Sequence, residues 1–413
     1  MVMVEEGRHA LALLSAARFD HPAKKLVMIG VTGTKGKTTT THMIRAILLA
    51  AGKKVGMIGT TGTVIGDVVT PTLNTTPESY ELHQAFAQMV EAGCEYAVME
   101  VSSQGIKMHR TDGLYFNYAI FTNISPDHIG PGEHADFEEY LYYKTRLLNM
   151  CGIGLVNKDD EHAPQIIKAA NCELYTYSEE SKEADFVASD IRYVSQPDFV
   201  GTEFHISGKY DMEVRLGIPG LFNVVNALAA VSVCSFLGLD QARISHALEN
   251  IRVNGRMEIV YTSERCTVLV DYAHNAVSME SLLSTLRDYK PKRLVCVFGC
   301  GGTRSKDRRY SMGEIGGKMA DLSIITADNS RYEKVEDIIA DIRGSIEKTG
   351  GKFIEIPDRR EAIRYSILHA QPGDMVAVIG KGHEDYQEIN GVRHHFLDRE
   401  VIEETVKELG EKA

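Results

Sequence analysis

Residues 29–40 read Ile-Gly-Val-Thr-Gly-Thr-Lys-Gly-Lys-Thr-Thr-Thr: a β-branched apolar run enters a glycine-rich turn, and a helix opens near Lys37. A strand that turns so abruptly into a helix aims turn amides and a helix N-terminus at one point, where phosphate oxygens are stabilised. In that geometry Lys37 reaches terminal phosphates and the Thr38 hydroxyl faces Mg²⁺. The spacing departs from G-x₄-G-K-[ST], because Val31 stands where the first glycine belongs. A bare glycine turn is the competing reading, and the strand and helix on either side weigh against it. The feature commits the chain to α/β architecture and to a nucleoside triphosphate site.

At 413 residues the chain is long enough for two or more domains with separate cores. A net charge of −12 argues against a nucleic-acid partner, while leaving room for a local basic pocket that takes small anions. The seven cysteines form no C-x-x-C pair, which fits reduced thiols in a cytoplasmic protein. The apolar run from His9 is short and follows Glu5 and Glu6, so it reads neither as a signal peptide nor as membrane-inserting.

Short apolar strands alternate with helical patterns from Lys25 onward, as in a parallel sheet covered on both faces. Strands are expected at 26–31, 96–101, 118–122 and 154–157, with helices at 38–51, 78–92 and 137–149. Residues 191–216 alternate polar and apolar around Ser207-Gly208-Lys209, as a hairpin does, and helices follow at 222–237 and 241–250. The pattern restarts near Asn254, with strands at 267–270, 293–298, 322–326, 352–356 and 375–379. The expected fold is α/β: a P-loop central domain with a mostly parallel sheet (26–253), then a C-terminal Rossmann-like α/β domain (254–413). A linker helix occupies 1–25.

Polar residues gather where these strands end, the place where open α/β sheets bind ligands. Glu100 closes a buried strand and can hold Mg²⁺ opposite the phosphate loop. Asp127-His128 follows the next strand and suits a divalent ion. Lys144 lies on a helix among aromatic neighbours, where a snorkelling surface lysine is the ordinary alternative. Later, Asp271 can bond a ribose, and His274 and Asn275 can meet a base. Arg304, Lys306, Arg308 and Arg309 follow the turn Gly299-Cys-Gly-Gly302, a cluster suited to carboxylate or phosphate. Asp328-Asn329-Ser330-Arg331 offers groups for both ends of a zwitterionic amino acid, and Gly380 to Asp385 adds further acids. Any one of these could be a common polar turn; four on successive strand ends are harder to dismiss.

The ordered set Gly33–Thr39, Asn74-Thr-Thr-Pro77, Met99–Ser103, Phe121–Ser125, Asn254–Glu258, Asp271–His274, Gly299–Gly302 and Gly380–Gln387 resembles the Mur ligases, most closely those of MurE type. The likeness runs from about Arg18 to the C-terminus. It implies an ATP- and Mg²⁺-dependent carboxylate–amine ligase of peptidoglycan synthesis working through an acyl phosphate. It also implies that Gly33, Thr34, Lys35, Gly36, Lys37, Thr38, Thr39, Asn226, Arg256, Asp271 and His274 bind the nucleotide. By the same resemblance Lys37, Glu100, His128 and Lys144 are catalytic, and Thr38, Glu100, His128 and a carbamylated Lys144 serve the metal. Asn74, Thr75, Thr76, Ser102 and Arg110 match positions that hold the acceptor. Arg304, Asp328, Asn329, Arg331, Gly380 and Glu384 match those that bind an incoming diamino acid such as diaminopimelate.

Departures from the family pattern bear on the acceptor and the amino-acid turns. Ser330 replaces a proline, Thr303 and Ser305 stand where acids are usual, and residues 129–134 differ from the Leu-Asp-Tyr-His-Gly pattern. The uridine-gripping N-terminal domain of the family is not recognised; residues 6–25 resemble the helix that follows it. The acceptor is therefore expected to be UDP-MurNAc-dipeptide or a smaller non-nucleotide acid. Competing functions are a P-loop phosphotransferase and a non-catalytic paralogue. The partners expected are small molecules, and nothing in the residues sets an oligomeric state.

Overall fold

The computed structural model describes residues 3–127, 129–130 and 132–410. They form two compact units. The first comprises the chain to Ile191 with Glu203–Leu216 and Phe222–Ile251; the second comprises Arg192–Thr202, Gly217–Leu221 and the chain from Arg252 onward.

The first unit is organised on strands β1 (Val27–Thr32), β2 (Val55–Gly59), β3 (Gly62–Ile65), β4 (Val68–Thr70), β5 (Tyr96–Glu100) and β6 (Phe116–Phe121). β7 (Cys151–Asn157), β8 (Glu173–Ser178), β9 (Phe186–Gln196), β10 (Phe199–Gly208) and β11 (Met212–Leu216) follow, the Arg192–Thr202 portion of β9 and β10 being counted in the second unit. One 11-stranded sheet takes them in the order β11-β10-β9-β8-β7-β6-β1-β5-β2-β3-β4. β1 is central and parallel to both neighbours, with Val31 beside Glu100 and Thr32 beside Phe121. This register brings the carboxyl ends of β1, β5 and β6 together.

Helices α1 (Gly7–Arg18), α2 (Lys37–Ala50), α3 (Ser79–Glu91), α4 (Ser103–Lys107) and α5 (Phe137–Thr145) belong to this unit. Phe86, Phe116, Phe121, Tyr140 and Leu147 close its main apolar core. α5 starts at Phe137 because the Asp136 side chain accepts from Glu139 N (2.8 Å), with Glu138 and Glu139 in the first turn complementing the helix dipole. The expected helix at 137–149 is α-helical only to Thr145 and tightens to 3₁₀ over Arg146–Asn149. β2, β3, β4 and β8 escaped the sequence reading. β2 is short and interrupted by Gly56, whose missing side chain leaves room for Met89. The expected hairpin at 191–216 is part of a longer series, β9, β10 and β11, that begins at Phe186.

In the second unit, β12 (Glu258–Thr262), β13 (Cys266–Asp271), β14 (Arg293–Phe298), β15 (Leu322–Ile325), β16 (Phe353–Glu355) and β17 (Asp374–Ile379) form a six-stranded sheet. Its order is β12-β13-β17-β14-β15-β16, parallel except for the antiparallel edge strand β12. A two-stranded ribbon of β18 (Tyr386–Ile389) and β19 (Val392–His395) follows β17. Val268, Val297, Ile324, Ile363, Val376 and Ile402 fill one face.

One ion pair braces this sheet. Arg359 and Asp398 are both fully buried and meet in a two-pronged contact, Nε to Oδ1 and Nη2 to Oδ2 at 2.7 Å each. The same guanidinium donates to Ala327 O (3.2 Å) and Ile379 O (3.0 Å), at the carboxyl ends of β15 and β17. All seven cysteines are free, and no helix of the described residues is long and apolar enough to cross a membrane.

Removing one partner strands a buried charge, so Asp398→Ala is expected to lower unfolding stability by about 3–5 kcal/mol. Joint replacement, Arg359→Met with Asp398→Leu, is expected to recover most of it. Denaturant titration of the three proteins measures both; a single variant as stable as the parent contradicts the brace.

Candidate active site

In the first unit the turn after β1 carries the phosphate-binding features. Gly36, the N-cap of α2, has φ +86°, and a Cβ there would lie 2.4 Å from Asn226 Oδ1. Only glycine allows both the conformation and the close approach. Asn226 also accepts from Thr40 Oγ1 (3.3 Å), so it sits beneath the turn. Thr34 N donates to Asn123 O (2.8 Å) and Lys35 N to Asn123 Oδ1 (2.9 Å), while Thr122 Oγ1 donates to Lys35 O (2.7 Å). The end of β6 thus clamps the loop. Sequence reasoning quoted Thr122 and Asn123 within a motif without assigning them this task.

Three charged groups surround this turn. Lys37 Nζ donates to Gly33 O (2.8 Å) and Thr34 O (3.0 Å). Thr38 Oγ1 donates to Glu100 Oε1 at 3.0 Å, and Thr60 donates to the same carboxylate through N (2.9 Å) and Oγ1 (3.2 Å). Glu100 is buried. A buried carboxylate and a hydroxyl side by side are oxygen donors of the kind a hard Mg²⁺ ion takes, so these two residues fit that ion.

Lys144, matched to the metal site by resemblance, lies against the same turn. The sequence left open a surface lysine; the side chain is 2% exposed, with Nζ donating to Gly33 O at 2.8 Å and lying 4.5 Å from the centre of the Tyr140 ring. Tyr140 and Lys144, four residues apart, share one face of α5, and Tyr140 Oη meets Thr34 Oγ1 at 3.1 Å. Burial, and then the charge of Lys37, push the Lys144 ammonium well below the usual lysine range, against a smaller opposing pull from Asp127. His128 lies outside the described residues.

The acceptor candidates form a connected group beside Glu100. Thr76 is fully buried; its Oγ1 donates to Glu100 O (3.0 Å) and accepts from Ser102 N (2.9 Å). Arg110 donates to Thr76 O (3.0 Å) and pairs with Glu78 at 2.8 Å, while Thr75 meets Thr60 at 3.2 Å. Ser102 also N-caps α4. Asn74 is partly exposed at the start of this segment.

In the second unit, Arg304, Asp328, Asn329, Arg331, Gly380 and Glu384 all line one cavity of about 250 Å³, together with His274, Tyr272 and Arg308. Three guanidiniums therefore face the same space as two carboxylates. Asn329 ties its floor together: Nδ2 donates to Glu384 Oε2 (2.9 Å), and Oδ1 accepts from buried Lys381 (3.2 Å) and from Glu388 N (2.9 Å). Gly380 has φ +113°, and a Cβ there would come within 2.7 Å of Asp328 Oδ2. Arg331, at φ +52°, donates to Gly302 O at 2.7 Å. Buried Arg309 grips both oxygens of Glu333 at 2.8 Å, and Glu333 accepts from Thr303 N, which fixes the same glycine turn. Arg309 thus braces the cavity from behind. Ser330, in place of the family's proline, is buried, with its carbonyl accepting from Glu333 N at 3.0 Å.

The nucleotide candidates of this unit divide. Asp271 already accepts from Met257 N and Ala273 N at 2.8 Å each; burial raises its carboxyl, against those bonds and Arg256. Arg256 lies 4.9 Å from the Tyr272 ring centre, and His274 Nδ1 meets Tyr272 O at 2.9 Å. The Asn275 side chain caps the helix Ala276–Asp288, its Oδ1 accepting from Ser278 N at 2.9 Å. Ser305 likewise caps the helix Lys306–Met319.

Comparison with known proteins identifies the family of both units. The Mur ligase middle domain matches residues 31–234, and the Mur ligase glutamate ligase domain matches residues 255–382. A UDP-N-acetylmuramoyl-L-alanyl-D-glutamate–2,6-diaminopimelate ligase of Caldanaerobacter subterraneus subsp. tengcongensis is 40% identical over 99% of this chain and 84% of its own length. The protein of the same name from Geobacillus thermodenitrificans is 39% identical over the same shares. A solved structure of such a ligase superposes with a TM-score of 0.76 at 32% identity, covering 98% of this chain and 84% of that one. The folylpolyglutamate synthase of Thermotoga maritima shares the fold, with a TM-score of 0.70 at 18% identity over 91% of each chain. Matched in both of its units and 40% identical to such relatives along nearly its whole length, this chain belongs to the Mur ligase family.

Proposed function

We propose that the protein is an ATP-dependent, ADP-forming ligase of MurE type that joins diaminopimelate to the D-glutamate carboxylate of UDP-N-acetylmuramoyl-L-alanyl-D-glutamate. The observation that carries the reading is the second-unit cavity. Arg304, Arg308 and Arg331 face it with Asp328 and Glu384, a match for a substrate that has two carboxylates and two ammonium groups. A phosphotransferase acting on a hydroxyl has no use for such a cavity. The relatives named above carry this donor and acceptor in their names.

The chemistry follows from charge placement. Lys37 and the amides at the N-terminus of α2 bind the polyphosphate, and the acceptor carboxylate attacks the γ-phosphorus to give an acyl phosphate and ADP. Thr38 and Glu100 would hold Mg²⁺, and by family resemblance His128 and a carbamylated Lys144 would serve the same ion. An ion held there would neutralise charge building on the phosphate oxygens. The amine held in the second unit then attacks the acyl carbon, the C–O bond to phosphate breaks, and the nitrogen loses a proton. The two steps need water excluded while the acyl phosphate exists. Carbamylation at Lys144 forms an N–C bond to CO₂ and releases a proton from the nitrogen. It requires a neutral amine, which the burial of Lys144 beside Lys37 favours.

ADP release measured across a substrate panel is expected to require both an acid and diaminopimelate, with an amide product by mass spectrometry; a stable phosphoester instead overturns the assignment. Lys144→Ala is expected to lose on the order of 10²-fold or more in kcat, partly restored by added acetate. Because an ordinary lysine is protonated at neutral pH and this one is shifted down, parent activity is expected to fall as pH drops and the amine gains its proton, and to rise with bicarbonate. A Lys144→Ala enzyme with parental turnover and no bicarbonate response contradicts the carbamate. Arg331→Ala is expected to raise KM for diaminopimelate by roughly 10–100-fold, as loss of a charge-assisted pair entails, and to affect lysine as substrate much less. Equal effects on the two amino acids would count against carboxylate recognition by this residue.

A further inference from the structure

Three side chains of the first unit that have no part in the phosphate loop or the acceptor group converge. His9, in the first turn of α1, and His109, just beyond α4, bring Nδ1 to the same oxygen of Asp112, at 2.5 and 2.7 Å. The two nitrogens and the carboxylate oxygen all lie within 4.8 Å of one another. The rings stand nearly perpendicular, at 76° with centres 6.1 Å apart. His109 adopts φ +57°, a left-handed conformation that costs a non-glycine residue free energy and here turns its imidazole toward Asp112.

A single histidine three residues from Asp112 suffices to close the turn. The second, from a helix more than 100 residues earlier in the chain, adds what a chelate needs: donor atoms from separated segments aimed at one point. Two imidazole nitrogens and one carboxylate oxygen suit zinc-type dications, whereas Mg²⁺ prefers an all-oxygen shell. The side chains are 50%, 38% and 18% exposed, so an ion can enter and water can fill a fourth position. Neighbouring bonds hold both histidine-bearing segments in place. Arg8 Nε donates to Met108 O at 2.8 Å, and Arg8 and Arg110 both pair with Glu78.

We propose that His9, His109 and Asp112 form a binding site for a zinc-type transition-metal dication, which pins α1 to the turn after α4. The site is independent of the catalytic reading, since none of its three residues is assigned to the phosphate loop, the acceptor or the amino acid. Isothermal titration of the metal-free full chain with Zn²⁺, in saturating Mg²⁺ to occupy oxygen-rich sites, tests it. One Zn²⁺ per chain is expected, with a rise in thermal midpoint, and Co²⁺ in its place is expected to give visible absorption of low-symmetry nitrogen–oxygen coordination. His9→Ala, at a half-exposed position, and Asp112→Asn are each expected to bind Zn²⁺ at least roughly tenfold more weakly, with parental circular dichroism. Zn²⁺ binding of equal strength and stoichiometry in parent and His9→Ala, or no binding by the parent under these conditions, overturns the proposal.

Discussion

Parallel pairing is the constraint on which the rest depends. When β5, β1 and β6 run in one direction, their carboxyl ends open on one edge of their sheet, and those of β13, β17, β14 and β15 open on one edge of the second unit's own sheet. Every candidate residue that follows one of these strands is delivered to that edge of its own sheet without a separate device. Glu100, Thr122 and the turn from Gly33 meet because Val31 pairs with Glu100 and Thr32 with Phe121. Asp328 and Gly380 meet in the same way beyond β15 and β17.

Placing ionised groups at such edges is expensive unless each is bonded. In the first unit Gly33 O accepts from both Lys37 and Lys144, so one backbone carbonyl serves two amines, and the buried one yields its proton more readily. In the second unit the sheet ends are held by Arg359, which bonds the Ala327 and Ile379 carbonyls while Asp398 neutralises it. Arg309 does the same behind Thr303 through Glu333. Both buried arginines keep turns rigid next to a cavity full of charge, and rigidity there limits how far a substrate can be misplaced.

Much of this was legible beforehand where local pattern and chemistry coincide. The glycine turn at 33–36 declares itself through the strand before it and the helix after it. The six residues that the family resemblance matched to amino-acid binding line one cavity. What stayed hidden depends on packing at long sequence separation. Resemblance gave Lys144 its role, but its helix alone left a surface lysine open, and only the packing of α5 against the turn after β1 buries it. Asn275 and Ser305 were read as contacts or departures, yet they cap helices, because a side chain one residue before a helix competes for its free amides. Strand β2 was missed because glycine inside a short strand weakens its signal.

The amino-acid order by itself determined the α/β alternation, the phosphate loop and which polar residues stand at strand ends, since these follow from periodicity and from turn chemistry over a few residues. Tertiary structure alone decided which ends are neighbours, which lysine loses its solvent, and that a histidine of α1 meets one a hundred residues later. Strand order and burial are set by contacts between distant segments, and no local window carries that information.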